Sequence, residues 1–207
     1  MTQPDSFNDK HNLLPTLSKH QTVELELGCG NRKRLPNSIG IDMLDYEAVD
    51  IVGDIVAVLA AFPENSVDFV TSHHVFEHLD NLEELLDQLA RVIKPNGQFE
   101  ATVPHFSNPY YYSDYTHKRF FGLYTFCYLA SSSLFQRQVP TYQRVLTFEL
   151  TAVDLAFKSP PPFYVRYGIK RVWGALFNIN YWMQEFYEEN LCYLIPCYEI
   201  RYVLRRL

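Results

Sequence analysis

Cysteine is scarce in this sequence, with four residues among 207. Cys29 and Cys127 stand alone, and only Cys192 and Cys197 lie near each other in the chain. No second pair completes a four-ligand zinc site, and the spacing does not suggest a disulfide framework. We therefore expect reduced thiols, as in a cytoplasmic protein.

Long apolar runs and an excess of positive charge are also missing. No stretch of about 20 apolar residues is present, so no transmembrane helix is expected. Residues 1–20 are polar and lack the apolar core of a signal peptide, which favours a cytoplasmic protein. The formal net charge of −6 argues against a broad phosphate-binding surface, so nucleic acid is not expected as a partner.

The composition is that of an ordinary folded protein. Hydrophobic residues make up 47% of the chain and charged residues 20%, enough for one full core. We expect a single domain over residues 1–207. It would comprise a lead-in arm (1–20), a cofactor-binding half (21–104) and an acceptor-binding half that completes the sheet (105–207).

Alternating apolar patterns predict an α/β protein with a mostly parallel sheet. The clearest helix covers residues 82–93, begins at a capping box of Asp80 and Glu83, and stops at Pro95-Asn96-Gly97. An aromatic segment, residues 164–190, is predicted to be helical. The predicted strands cover residues 22–27, 38–43, 50–52, 66–72, 98–103, 145–157 and 198–204.

A glycine turn, Gly28-Cys29-Gly30, follows the first predicted strand. Such a turn lets backbone N–H groups approach a ligand, and ligands bind parallel sheets at the carboxyl ends of the strands. A dinucleotide site would need a third glycine where this chain has Lys33, and Glu26 would repel a pyrophosphate. A carboxylate at this point instead suits the amino group of an amino-acid-bearing cofactor.

Two further acids stand at predicted strand ends. Asp42 can accept hydrogen bonds from both hydroxyls of a ribose, and Asp54 can reach an adenine amino group. Ordinary solvated acids are the alternative explanation for each one alone. Three acids at the expected strand ends favour a nucleotide-type cofactor site.

Several motifs together resemble the class I S-adenosylmethionine-dependent methyltransferases, in their small-molecule, type 11-like branch. They are Leu25–Asn31, Gly40–Asp42, Gly53–Ile55, Ser66–Leu79 and Leu89–Gln98, and they span about residues 22–104. The resemblance implies S-adenosylmethionine as cofactor, S-adenosylhomocysteine as product, and a Rossmann-like sheet of seven strands with helices on both faces and an aromatic-rich helical insertion. It implies cofactor contacts at Glu26, Gly28, Cys29, Gly30, Asn31, Asp42, Met43, Asp54, Ile55 and His73.

The acceptor and the catalytic groups are less well specified. The compact glycine turn, together with Ser113–His117, more weakly resembles family members of cell-surface polysaccharide and lipid biosynthesis, which implies a small-molecule or saccharide- or lipid-linked acceptor. A hydroxyl acceptor benefits from a base with a pKa near neutrality, which favours histidine. We rank His105 first and His117 second, with Asp114 as the group that orients His117; each is equally explained as an ordinary polar loop residue.

Two alternatives remain open. The chain could be a cofactor-binding but inactive partner protein, or His74-x-x-Glu77-His78 could be the zinc signature of a hydrolase. Because that motif directly follows a predicted strand, we expect no metal. The aromatic segment suits an acceptor pocket, a lid or a homodimer contact; membrane contact is not favoured, since Glu185, Glu188 and Glu189 make one end acidic.

Overall fold

A computed structural model describes residues 7–142, 145–159 and 161–207. Residues 1–6 of the predicted arm lie outside this part of the chain. The chain divides into two compact units. The first, the N-terminal unit, holds the described residues up to Phe76 together with Asp80–Glu100 and Arg205–Leu207; the second, the C-terminal unit, holds Glu77–Leu79 and Ala101–Leu204.

The described residues form a sheet of eight strands in the order β1-β4-β3-β2-β5-β6-β8-β7. Strand β2 pairs in parallel with both β3 and β5, and β3 pairs in parallel with β4. The strands are β1 (Asn8–Asp9), β2 (Glu24–Leu27), β3 (Ile39–Asp42), β4 (Ile51–Val52), β5 (Val67–His73), β6 (Ile93–Pro104), β7 (Phe148–Ala156) and β8 (Glu199–Arg206).

The predicted count of seven strands differs from the structure by one short strand. Strand β1 lies in the predicted lead-in arm and pairs antiparallel with β4, with Asn8 opposite Val52. The sequence gives no signal for this strand, because two residues are too few to show apolar alternation. The strand forms only through its pairing with the edge of β4.

The middle of the sheet lies in the core of the N-terminal unit. Leu25, Leu27, Ile41, Ile51 and Val70 are fully buried. Strand β2 is buried on both faces, as expected for a parallel strand with neighbours on each side. Glu26, on the face opposite Leu25 and Leu27, is only 1% exposed.

Four α-helices complete the described structure: α1 (Ile55–Ala60), α2 (Leu82–Val92), α3 (Tyr164–Phe177) and α4 (Tyr181–Asn190). Helix α2 buries its leucines at helical spacing, as predicted. Its N-cap is Asn81 rather than the predicted Asp80, because the Asn81 side chain accepts a hydrogen bond from the Glu84 N–H over 3.2 Å. Helix α1 was not predicted.

Two further boundaries differ from the prediction. Strand β6 begins at Ile93, directly after α2, and passes through Asn96 with a φ of 66°. The aromatic segment is two helices rather than one, because it breaks at Asn178–Asn180, where the Asn180 side chain caps α4 through the Met183 N–H. Within the described residues, no helix is long and apolar enough to cross a membrane.

Candidate active site

The glycine turn leaves β2 and folds back onto the end of β3. Gly28 donates its N–H to the Ile41 carbonyl over 2.8 Å and has a φ of 67°. A Cβ at Gly28 would lie 2.2 Å from Cγ2 of Val75, so a side chain is excluded by contact as well as by backbone conformation. Gly30 has a φ of 60° with open space where its Cβ would be.

Asp42, the last residue of β3, holds this turn in place. Its Oδ2 accepts the Gly30 N–H over 2.8 Å, and its Oδ1 accepts the Leu44 N–H over 2.9 Å. Each carboxylate oxygen keeps a further lone pair. The half-buried carboxylate can therefore accept hydroxyl hydrogen bonds while it orders the loop.

Glu26 lies at the centre of the sheet edge that carries the turn. Its Oε2 accepts the N–H groups of Arg34 and Leu35 over 2.8 and 3.1 Å. Within the described chain Oε1 has no hydrogen-bond partner, and Arg34 Nη1 is 3.9 Å away. A buried carboxylate oxygen without a donor favours a cationic donor from a ligand.

The other predicted cofactor residues lie at the same ends of neighbouring parallel strands. His73 ends β5, Met43 follows β3 and is exposed, and Asn31 follows the glycine turn. Asp54 follows β4 and caps α1, because its Oδ1 accepts the N–H groups of Val56 and Ala57 over 3.0 Å. Ile55 is the first residue of α1.

The field at Cys29 is negative on balance, because the carboxylates of Asp42, Glu26 and Asp50 outweigh the Lys33 ammonium. Burial, with the nearby carboxylates of Asp42 and Glu26, raises the pKa of the Cys29 thiol to about 11. Cys29 therefore stays a neutral thiol at physiological pH, and all four cysteines of the chain are free. A field of this sign favours a cationic ligand over a pyrophosphate.

These observations fit S-adenosylmethionine, which carries a cationic sulfonium and an ammonium group. The unsatisfied Glu26 oxygen suits the ammonium, and Asp42 suits the ribose. The absent side chain at Gly30 leaves the backbone open to a ligand. The three features lie within the N-terminal unit.

In the C-terminal unit, His105 is completely buried and bonded at both ring nitrogens. Nδ1 lies 2.8 Å from Ser107 Oγ, and Nε2 lies 3.0 Å from Glu188 Oε2. Glu188 Oε2 also accepts the Leu123 N–H over 2.8 Å. Neither nitrogen of His105 is open to an acceptor molecule in this arrangement.

His117 has a different environment, beside Asp114. Its Nδ1 is 2.9 Å from the Tyr111 carbonyl, which can only accept, so Nδ1 carries the proton and Nε2 the lone pair. Nε2 is 3.6 Å from Asp114 Oδ2. Hydrogen bonds from the Thr116 hydroxyl and N–H lower the pKa of Asp114 from its ordinary value, so it is ionised at neutral pH.

A cavity of about 620 Å³ lies in the same unit, beside α4. Aromatic and acidic side chains line it, with Trp182, Phe186 and Tyr193 among the former and Glu185, Glu188 and Glu189 among the latter. Glu185 accepts hydrogen bonds from the N–H groups of Gln136 and Arg137, which fixes one wall. This cavity is our candidate for the acceptor pocket that the aromatic segment was predicted to line.

Several contacts had no local signal in the sequence. Val75 packs against Gly28 although 47 positions separate them in the sequence (75 − 28), and Glu188 bonds to His105 over a separation of 83 positions. The backbone donors of Arg34 and Leu35 to Glu26 were also missed. Only the closeness of the glycine turn to the chain after β5, at the edge shared by parallel strands, could have pointed to Val75.

Comparison with known proteins agrees with this geometry. Residues 6–142 match the model of the Methyltransferase domain family, Methyltransf_23. No curated protein matches the sequence at a significant level. Among solved structures, a SAM-dependent methyltransferase from Archaeoglobus fulgidus is 19% identical with a TM-score of 0.56, covering 89% of this chain and 86% of its own.

Two other solved structures share the fold. A putative sarcosine dimethylglycine methyltransferase from Galdieria sulphuraria is 14% identical with a TM-score of 0.53, over 93% of this chain and 84% of its own. A geranyl diphosphate methyltransferase in complex with SAM is 12% identical with a TM-score of 0.51, over 90% and 78%.

The chain belongs to the Methyltransferase domain family, and its fold is the Rossmann-like fold of class I S-adenosylmethionine-dependent methyltransferases. It is therefore a methyltransferase. The family match and the similar structures give no support to the two alternatives, an inactive partner protein and a zinc hydrolase. The zinc signature also lacks its α-helix, because Phe76–His78 is a short 3-10 helix and His74 has a φ of 57°.

Proposed function

We propose that this protein transfers the methyl group of S-adenosylmethionine to a small, non-anionic acceptor such as a saccharide derivative. The observation that carries the proposal is the buried Glu26 Oε1, which lacks a donor and lies in a negative environment beside an open glycine turn. The bound cofactor would supply a methyl group on a positively charged sulfur, already activated for displacement.

Three parts of the N-terminal unit would hold the cofactor. Glu26 would accept a hydrogen bond from the amino group, and Asp42 would accept from the ribose hydroxyls. Asp54, Ile55, Met43 and His73 are our candidates for the adenosine contacts. Gly28, Cys29, Gly30 and Asn31 form the turn that lets the backbone come close.

The acceptor would bind in the cavity beside α4. Aromatic rings such as Trp182 and Tyr193 suit the apolar face of a sugar or another ring. Glu188 and Glu189 on the same wall suit hydroxyl or amine donors. With Glu185 they outnumber Arg137, the one cation among the described residues of the lining, so the cavity disfavours phosphate. We therefore place neutral or amine-bearing acceptors ahead of phosphorylated ones.

As the base for a hydroxyl acceptor we propose His117 with Asp114, two residues outside the lining of the cavity. His117 carries a lone pair on Nε2, whereas both nitrogens of His105 are engaged by Ser107 and Glu188. We therefore place His117 ahead of His105. His105 becomes a positioning residue that holds Glu188 at the wall of the cavity.

The test is a screen of neutral, amine-bearing and phosphorylated acceptors, with product gain of one methyl group measured by mass spectrometry alongside release of S-adenosylhomocysteine. Trp182→Ala should raise KM for the acceptor while cofactor affinity stays unchanged. Tyr164→Ala, an exposed aromatic on α3 outside the cavity lining, is the matched control. Methylation of phosphorylated acceptors alone would contradict the assignment.

The exposed face of α3 remains a candidate for a lid or a contact with a second copy of the chain. Val165, Ile169 and Val172 are each at least half exposed on this helix. The charge argument against membrane contact applies to α4, which carries Glu185, Glu188 and Glu189. It does not apply to α3, which carries Arg166, Lys170 and Arg171 and no acidic residue.

A further inference from the structure

Glu77, His78 and His117 form a cluster of which the proposed function uses only His117. One potential ligand atom from each lies within 4.8 Å of the others. All three residues belong to the C-terminal unit. Two contacts hold the loop against Glu77–Leu79: the Lys118 N–H bonds to the Glu77 carbonyl over 2.7 Å, and Arg119 Nε bonds to the Leu79 carbonyl over 2.9 Å.

Hydrogen bonds around the cluster fix which nitrogens carry protons. The Thr116 hydroxyl donates to Asp114 Oδ1 over 2.6 Å, so its oxygen accepts from His78 Nδ1 over 2.9 Å. His117 Nδ1 donates to the Tyr111 carbonyl over 2.9 Å. In the neutral form of each ring, which is the form that binds metal ions, the lone pair therefore lies on Nε2.

Those two lone pairs face the same carboxylate oxygen. Glu77 Oε1 is 3.9 Å from His78 Nε2 and 4.0 Å from His117 Nε2. Both distances are too long for a hydrogen bond, so neither ring bonds directly to this oxygen, even with a proton on Nε2. Donor atoms bound at about 2.1 Å to one tetrahedral zinc ion lie about 3.4 Å apart, so these side chains would close in by about half an ångström on binding an ion.

We infer that Glu77, His78 and His117 bind one divalent transition-metal ion of the Zn²⁺ type. Two imidazoles and one carboxylate are a common donor set for an open zinc site. Thr116 and Tyr111 accept hydrogen bonds from the other ring nitrogens, which orients both rings toward the ion. Asp114 adds negative charge, 3.6 Å from His117 Nε2. His78 is partly exposed, which gives the ion a path from solvent.

This site differs from the signature His74-x-x-Glu77-His78, since His117 replaces His74 as the third ligand. The inference concerns metal binding alone and does not rest on methyl transfer. Because one lone pair cannot bind a metal ion and accept a proton at once, an occupied site would leave His117 unable to serve as the base proposed above.

The test uses the full-length, metal-stripped protein without a histidine tag. Titration with Zn²⁺ by calorimetry and with Co²⁺ by visible absorption should each show one equivalent bound. His78→Ala and His117→Ala should each abolish the Co²⁺ spectrum. Thr116→Val should weaken binding about tenfold or more through the loss of the second-shell bond.

His74→Asn is the matched control, because asparagine tolerates the positive φ of this position. It should bind Zn²⁺ as tightly as the parent protein does. Thermal unfolding of each metal-free variant shows that it is folded, and the two histidine variants test the same site independently. No stoichiometric binding by the parent, or binding that is lost in His74→Asn and kept in His117→Ala, would overturn the inference.

Discussion

The backbone N–H of Gly30 bonds to Oδ2 of Asp42 over 2.8 Å. This bond joins the glycine turn after β2 to the end of β3, so the residue proposed to bind ribose also shapes the loop beside it. Loss of Asp42 would therefore remove a ligand contact and release the turn. We therefore expect cofactor binding and loop order to be coupled through this one carboxylate.

The Gly28 position should not tolerate a side chain. Gly28→Ala would place a Cβ against Val75 at positive φ, and we expect a loss of roughly 3 kcal/mol in unfolding free energy from strain and overpacking together. Gly30→Ala meets no neighbour and should cost only about 1–2 kcal/mol. Urea denaturation measures both values.

A double-mutant cycle isolates the contact from the strain. Val75→Ala removes Cγ2, so Gly28→Ala should be less harmful in that background, with a coupling of about 1–3 kcal/mol. Additive effects of the two substitutions would show that the contact between Gly28 and Val75 does not limit this position.

Glu26→Gln should weaken S-adenosylmethionine binding about tenfold to a hundredfold, equal to roughly 1.5–3 kcal/mol, because a charge-assisted hydrogen bond is lost. The glutamine keeps an oxygen for the N–H groups of Arg34 and Leu35. Binding of methylthioadenosine, which lacks the amino acid moiety, should not change. Glu24→Gln, on the same strand, is the control and should bind both ligands as the parent protein does. If Glu26→Gln weakened the binding of both ligands equally, the substitution would have disturbed the fold and not the contact with the amino group.

Acid stability should depend on Asp68. Burial opposes ionisation, but the Lys94 ammonium at 2.7 and 2.8 Å and the Val23 N–H at 2.8 Å outweigh it and lower the Asp68 pKa below its ordinary 3.8. The stabilisation is therefore present above about pH 3.8 and is lost as the pH falls through the lowered folded-state pKa.

Asp68→Asn should accordingly cost about 1 kcal/mol at pH 7. The difference from the parent protein should shrink as the pH falls through this range, which urea denaturation at several pH values can follow. A difference that stays constant down to the lowest pH at which the protein folds would remove the ion pair with Lys94 as its cause.

The sequence predicted the parts of this structure that depend on local pattern. Strand β2, the glycine turn and α2 each follow from apolar spacing and turn residues within a short window. Glu26 and Asp42 could be assigned to one site because parallel strands end at the same edge of a sheet. The Cα register confirms that β2 and β3 are parallel neighbours.

The remaining features depend on distant partners. Strand β1 exists through its pairing with β4, and the environment of His105 depends on Glu188, far along the chain. The proton positions on His78 and His117 depend on Thr116 and Tyr111, which no spacing rule connects to them. Such contacts appear only once the chain is folded.

The most direct test of cofactor binding is a calorimetric titration of the metal-stripped protein with S-adenosylmethionine and S-adenosylhomocysteine. We expect micromolar affinity, near −8 kcal/mol, for the parent protein and its loss in Asp42→Ala. Asp45→Ala, an exposed acid paired with Lys10, should bind as the parent does. If the folded parent bound neither ligand, the result would contradict the proposed cofactor site and with it the proposed function.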